Sequence, residues 1–346
     1  MGSIPSKYDV VQQKIRERIL CGELTGTLPG VKQLALEYDV NFMTVNKAIN
    51  RLEEENLVYR IPRKGTYVRQ QKNILFAYHD PDVNFMEAPF FAPVVGAIQK
   101  ILAESNCFMI YENIYGKSDT ALAALAKRID GMIMIVGHEF LRPKQFYEKP
   151  CVRVLGMNMG EKRFDHITYE NAAVGRLAAE YLLKKGHRRL AYIGYRKADI
   201  FRVRSDVFAE TVERSGAECR LFREIPENFS QEFTIAQLDA LMKEAEFPSG
   251  IFCGTDDEAS LATGYFYEKG ILPGRDVHLI SCNNDPKLRS FLPEARPATF
   301  ELCRKEIATE AARLLISRIN GFSGPPVFRQ YMPKLIEPQQ KTERSS

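Results

Sequence analysis

The chain has 346 residues, 45% hydrophobic and 27% charged, the balance of a folded soluble protein rather than a fibrous, collagen-like or disordered one. Its net charge of +4 is concentrated at one end. Residues 1–72 hold six Lys and six Arg against two Asp and six Glu, while the other 274 residues balance 36 basic against 36 acidic groups. A positive head on a neutral body predicts that the head meets a polyanion and the body does something else.

The seven cysteines are scattered and form no C-x-x-C pair. That argues against a zinc site or a disulfide framework and for idle thiols in a reducing compartment. The N-terminus, MGSIPSKYDV, lacks an apolar signal core, and no run reaches the roughly eighteen apolar residues of a membrane span. The expected location is cytoplasmic, with no membrane contact.

In chain order, Tyr8, Val11, Ile15 and Ile19 recur at spacings of three and four, which predicts an amphipathic helix over 7–20 ended by Gly22. Pro29 opens a second helix with Val31, Leu34, Ala35 and Tyr38 inward. Asp39-Val40-Asn41 is a turn, with Asn41 as N-cap of a third helix that buries Val45, Ala48, Ile49 and Leu52. Asn56 is suited to stop that helix. Leu57–Ile61 and Thr66–Val68 then form a hairpin around the basic tip Pro62-Arg63-Lys64-Gly65, in other words a wing.

A helix-turn-helix places its second helix in the major groove. Phe42, Thr44, Asn46 and Lys47 are therefore the candidate base readers, since Asn pairs with adenine, Lys with guanine, and Phe or the Thr methyl with thymine. Lys32, Arg51, Arg63, Lys64 and Gly65 are candidates for the phosphates, with Asn41 at the start of the recognition helix.

This segment resembles the winged helix of the gluconate-repressor (GntR) family. The match is carried by Leu28-Pro29, Leu34-Ala35, Met43-Thr44-Val45, Ala48, Leu52-Glu53, Leu57-Val58 and Lys64-Gly65-Thr66-Tyr67-Val68. Gly30-Val31-Lys32-Gln33 replaces the family's Ser-Glu-Arg-Glu, and Phe42 and Asn46 stand where Arg is favoured. The resemblance therefore implies the fold, but an operator of different sequence.

Residues 70–73 read as a linker. Beyond it, strands at 74–78, 108–111, 131–136, 151–155, 190–194, 219–223, 250–253 and 278–282 alternate with helices at 91–104, 119–127, 172–185, 203–215, 235–245 and 258–269. That alternation predicts two parallel α/β sheets, with a ligand cleft at their C-terminal strand ends.

The body resembles the effector half of the lactose-repressor (LacI/GalR) family, a periplasmic-binding-protein-like fold. Ala88-Pro89-Phe90-Phe91, Ile129-Asp130-Gly131, Glu170-Asn171, Gly175-Arg176-Leu177-Ala178, Lys185-Gly186-His187-Arg188-Arg189, Thr255-Asp256 and Asn283-Asn284 carry the likeness. It implies one lobe from 74–163 with 287–322 and a second from 164–286 with 323–340.

It also implies Arg204 as the main effector contact, an interlobe salt bridge being the alternative. Phe90 stacks on a sugar or packs in the core. Asn84, Phe85, Glu87, His138 and Glu139 lie at the cleft edge, with His138 also readable as a solvated loop residue. Thr255 stands where the family has Asn, and Asn283 where sugar-binding members have Asp, which permits a sugar derivative or an acidic sugar. Asp256 reads as a helix N-cap.

No nucleotide-binding, nucleophile-elbow or zinc-hydrolase motif is present, and Cys253 and His278 lie in apolar strands. The expectation is a non-enzymatic regulator without metal or cofactor. It would be a homodimer on palindromic DNA that answers to a sugar, sugar acid or sugar phosphate. The alternative is a cytosolic ligand sensor whose head docks a protein.

Overall fold

The computed structural model describes residues 6–55, 57–69, 71–79, 89–135, 144–156, 163–196, 199–222 and 230–338. Asn56, Asn84, Phe85, Glu87, His138 and Glu139 lie outside them. The chain divides into two compact units: Met1–Asp82 with Gly96–Val152 and Ala311–Gly324, and Val83–Val95 with Arg153–Glu310 and Pro325–Ser346.

The first unit opens with three helices and a hairpin. Helix α1 (Lys7–Leu20) starts in a capping box, in which the Ser6 hydroxyl accepts from the Asp9 N–H and the Asp9 carboxylate accepts from the Ser6 N–H. Helices α2 (Val31–Glu37) and α3 (Phe42–Glu54) follow, joined by Asp39 in the left-handed region at φ 52°. Strands β1 (Val58–Ile61) and β2 (Gly65–Val68) pair antiparallel, with Val58 opposite Val68 and Ile61 opposite Gly65. At the turn between them Arg63 has φ 64° and Gly65 has φ 124°.

One apolar cluster holds this head together. Ile15, Leu34, Val45, Ile49 and Leu52 have no exposed surface, and burying each contributes about 1.5–3 kcal/mol. They are the residues on the three predicted stripes, so the local pattern and the tertiary packing agree.

The body is built from two six-stranded sheets. The first contains β3 (Lys72–Tyr78), β4 (Cys107–Asn113), β5 (Gly131–Met134), β6 (Cys151–Val154) and β7 (Asp165–Tyr169). The helices among these strands are α4 (Ala92–Glu104) and α5 (Asp119–Ala126). The second contains β8 (Arg189–Ile193), β9 (Glu218–Leu221), β10 (Gly250–Cys253), β11 (His278–Cys282) and β12 (Ala298–Glu301). Around these strands lie α6 (Asn171–Lys184), α7 (Asp199–Arg214), α8 (Gln231–Met242) and α9 (Asp256–Glu268), while α10 (Arg304–Ile319) sets Leu315 and Ile319 against Gly131 of β5. Strands β13 (Phe328–Tyr331) and β14 (Lys334–Ile336) complete one sheet each, giving the orders β13-β7-β6-β5-β3-β4 and β14-β12-β11-β10-β8-β9.

The central strands are short apolar runs with every residue buried, as Gly250–Cys253 is. That is the mark of parallel strands covered on both faces. Strand β10 is parallel to both β8 and β11, while β14 alone in its sheet runs antiparallel to its neighbour.

Two expectations are corrected. Lys72 and Asn73, read as linker, belong to β3, where they pair with Cys107 and Phe108. Their polar side chains are half-buried at the sheet margin, and the Asn73 N–H donates to Asp130 (2.8 Å).

The lobe boundaries also move. Residues 165–169 join the first sheet, not the second; 298–301 join the second; and 328–331 return to the first. These assignments depend on partners about 160 residues apart. The His166 N–H donates to the Val327 carbonyl (2.8 Å), and the Asp165 carboxylate accepts from the Val327 N–H (2.7 Å). No periodicity within a single segment reports such a pairing.

Candidate nucleic-acid interface and ligand site

The charge of the head is sorted by geometry. Arg16 pairs with Glu55, Arg18 with Glu23 and Glu37, and Arg60 with Glu53. Lys32, Lys47, Arg51, Arg63 and Lys64 are exposed and have no carboxylate within ion-pair distance among the described residues. Lys7, Lys14 and Arg69 are likewise exposed and without an ion pair among the described residues, so the five cations expected at DNA, on α2, α3 and the wing, are among those without a carboxylate partner. Gly65 is exposed beside them.

At the start of α3, Asn41 accepts from the Thr44 N–H (2.8 Å) and from the Thr44 hydroxyl (3.0 Å). Both side chains are therefore engaged in the cap. Phe42 is 58% exposed, and Met43, which sequence reasoning passed over, is 65% exposed. Two large apolar side chains standing in water at a helix N-terminus are suited to contact with base methyl groups. Asn46 is half-buried, and its amide has no hydrogen-bond partner among the described residues. Lys47 differs from expectation. Its ammonium lies over the Tyr8 ring at 3.9 Å, and Arg51 approaches the same ring at 5.8 Å.

In the second unit, strand ends converge on one buried side chain. Arg204 of α7 is 1% exposed. Its Nε donates to Asn171 Oδ1 (2.7 Å), Nη1 to the Gly254 carbonyl (3.2 Å) and Nη2 to the Tyr169 hydroxyl (2.9 Å). Tyr169 ends β7, Gly254 follows β10, and Asn171 opens α6. The guanidinium also lies 5.6 Å from the Tyr169 ring and 5.5 Å from the Phe201 ring. Three of its five N–H groups are used, and all three acceptors are neutral. No salt bridge to Arg204 occurs among the described residues, so that alternative is set aside.

Phe90 and Asn283, both expected at the ligand, are joined by Arg304, the first residue of α10. Arg304 Nη1 donates to the Phe90 carbonyl (2.8 Å) and Nη2 to the Asn283 carbonyl. The Arg304 guanidinium also stacks on the Phe90 ring at 4.8 Å. Phe90 itself is half-buried, edge-on to Phe91. Asn283 and Asn284 are consecutive left-handed residues at φ 125° and φ 50°. They are held by Asn283 N–H to the Phe300 carbonyl (2.9 Å), and by Asn284 Nδ2 to Glu301 (3.0 Å).

The cap of α9 is Thr255, not Asp256. The Thr255 hydroxyl accepts from the Asp257 N–H (3.2 Å) and donates to Glu258. Asp256 instead turns inward and accepts from Ser281 (2.5 Å), Thr299 (2.7 Å) and the Asp285 N–H (2.5 Å), tying α9 to β11 and β12. Burial pushes its carboxyl up to about 6 against those bonds.

Glu258 is also buried, its Oε1 has no hydrogen-bond partner among the described residues, and burial shifts its carboxyl upward. Its place was legible, since Glu258, Ala262 and Phe266 form one inward stripe of α9. Cys253 is fully buried, as expected of a core thiol. His278 is half-buried against His187 at 4.8 Å.

A cavity of about 460 Å³ lies away from Arg204, at the N-terminal ends of β11 and β12, lined by Tyr181, Lys185, His278, Arg296 and Glu337 among others. No His/Cys/Asp/Glu group suited to a metal, and no helix long and apolar enough to cross a membrane, occurs among the described residues.

Residues 7–68 match the bacterial regulatory proteins of the gntR family, and residues 179–339 match the periplasmic binding protein-like domain. Over 327 residues the chain is 24% identical to the HTH-type transcriptional repressor PurR of Escherichia coli O1:K1 / APEC, spanning 89% of this chain and 95% of that protein. Over 260 residues it is 25% identical to the repressor of the same name from Serratia proteamaculans (strain 568), spanning 72% and 76%.

Among solved structures, it is similar to the transcriptional regulator CelR in complex with cellobiose (TM-score 0.65, 18% identity, 89% of this chain and 98% of that one). It is also similar to a LacI family regulator from Enterococcus faecium with bound ribose (TM-score 0.61, 20% identity, 77% and 100%). The head thus matches the gntR family model, and the body matches the periplasmic binding protein-like model and shares the fold of LacI-family regulators.

Proposed function

We propose that this protein is a transcriptional repressor that binds operator DNA through α3 and the wing and answers to a small ligand held at Arg204. The observation that carries the reading is the sorting of charge in the head. Arg16, Arg18 and Arg60 are paired with glutamates, while Lys32, Lys47, Arg51, Arg63 and Lys64, on α2, α3 and the wing, are left for phosphates. The relatives named as repressors, and the similar structures holding cellobiose and ribose, support the same reading.

Phe42 and Asn46 read bases, with Asn41 and Thr44 fixing the helix N-terminus between them. Two copies would present two heads to a roughly palindromic site. Ligand binding alters operator affinity by a coupling of about 1–3 kcal/mol. The test is a shift assay with promoter fragments from the neighbouring operon across a salt series. Affinity is expected to fall steeply with salt. Absence of any shift at low salt removes the reading and favours a protein partner for the head.

A further inference from the structure

The second unit buries two guanidinium groups around one set of strand ends. Arg204 is 1% exposed and Arg304 is 4% exposed. Taking such an ion out of water costs several kcal/mol unless a countercharge or a full set of acceptors replaces the solvent. Arg204 has neither, and Arg304 has one carboxylate at the edge of ion-pair distance but no full set of acceptors. The acceptors of Arg204 are an amide oxygen, a carbonyl and a phenol. Those of Arg304 are the carbonyls of Phe90 and Asn283.

The nearest carboxylate to Arg304 is Glu301, with Oε1 3.8 Å from Nε, and that carboxylate already accepts from Asn284. The Nε–H of Arg304 is buried without a hydrogen-bond acceptor among the described residues. Tyr169 and Cys282 each feel the charge of both guanidiniums, so the two cations act on a common region. Asp256 spends its oxygens on Ser281, Thr299 and the Asp285 N–H, Glu258 accepts from Thr255 through one oxygen, and neither acid pairs with either arginine among the described residues. Position 283 offers an amide, which leaves the positive charge uncancelled.

We propose that the ligand of this site carries an anionic group, a carboxylate or a phosphate, and that Arg304 is the second cationic contact that selects it. The inference rests on reading the Arg204 region as the regulatory ligand site. Hydroxyls of a neutral sugar can accept from the spare N–H groups but add no countercharge to either guanidinium. A carboxylate or phosphate oxygen supplies acceptor and countercharge together, in charge-assisted bonds about twice as strong as neutral ones.

The test uses the full chain and sugars in three matched forms: the aldose, its uronate and its 6-phosphate, in the gluco, galacto and manno series. Thermal midpoints and titration calorimetry are compared at constant ionic strength for the wild type, Arg304→Gln and Arg304→Lys. At least one uronate or 6-phosphate is expected to raise the midpoint where its aldose does not, and which arm responds tells carboxylate from phosphate. Arg304→Gln is expected to weaken that ligand at least about tenfold, with partial rescue by Arg304→Lys. Should Arg304→Gln not fold, competition by inorganic phosphate against the same ligand on the wild type decides, because phosphate displaces an anion and leaves a neutral ligand bound.

Stabilisation by an aldose equal to that by its charged forms, unchanged affinity in Arg304→Gln, or no shift with any anion overturns the proposal. Operator binding separates its failure from that of the wider reading. If a neutral sugar alone releases the operator, regulation stands and the anion falls. If a charged sugar binds through Arg304 yet leaves operator affinity unchanged, the anion stands and regulation falls.

Discussion

The ammonium of Lys47 on α3 rests 3.9 Å from the centre of the Tyr8 ring on α1. A cation on an aromatic face at a partly exposed site contributes about 0.5–1 kcal/mol. The contact ties the recognition helix to the first helix at its outer edge. Tyr8→Leu is expected to destabilise the head by roughly that amount, and Tyr8→Phe to be nearly silent, measured by denaturant unfolding of the full chain. Lys47→Ala should weaken all operators alike and reduce the salt dependence by about one phosphate contact. A change in operator preference in that variant would return Lys47 to base reading.

Asn46 has the opposite expectation. With no bond to its own protein among the described residues, its amide is available to a base edge. Asn46→Ala should reorder a panel of operator variants, with discrimination at one position falling by about 1–3 kcal/mol. Equal weakening across the panel would assign Asn46 to the backbone.

The head was legible almost residue by residue because its information is local. Three amphipathic stripes, a side-chain cap at Asn41 and a Gly65 turn each lie within a dozen residues. The buried strands of the body were legible as apolar runs. Strand β7 was not, because its burial depends on polar residues satisfied from afar: Asp165 by the Val327 N–H, and His166 by the Leu155 carbonyl (2.7 Å). Arg204 could be named from a resemblance, but its neutral surroundings could not. Arg304 carried no sequence signal of its own, because its fork reaches Phe90, 214 residues away, and Asn283.

Gly175 sits inside α6, where glycine costs about 1 kcal/mol relative to alanine. The reason is spatial, since a Cβ there would lie 2.1 Å from the Arg204 carbonyl oxygen on α7. Gly175→Ala must push α7 outward and carry Arg204 with it. The expected loss of stability is about 1–3 kcal/mol, accompanied by weaker ligand binding. Thermal melts with and without ligand check both. Normal stability together with normal ligand affinity would mean that α6 and α7 can part freely.

The two buried acids of α9 set a pH dependence with a definite sign. Burial raises Asp256 from the ordinary 3.8 to about 6 and shifts Glu258 in the same direction. The folded protein therefore holds these protons more tightly than the unfolded chain does. For Asp256 that contribution to stability is full below pH 3.8 and is lost as pH rises through 6, by about 3 kcal/mol, and Glu258 acts in the same direction. Glu258→Gln should raise the thermal midpoint at pH 7.5 and leave it unchanged near pH 4. Asp256→Asn should flatten the fall between pH 4 and 6. Variants whose midpoints fall with pH as steeply as the wild type's would contradict both shifts.

Strand β2 ends at Val68 and β3 begins at Lys72. The intervening chain is pinned at the Arg69 carbonyl by Asn106 Nδ2 (3.2 Å), and Lys72 N–H donates to the Asn106 carbonyl (3.3 Å). Three residues stretch over no more than about 10 Å, so the head is on a leash shorter than its own width. If two copies present two heads as proposed, a pair held in this way reads separation as well as sequence. Inserting half a helical turn between half-sites should abolish recognition, because the tether has no slack with which to follow.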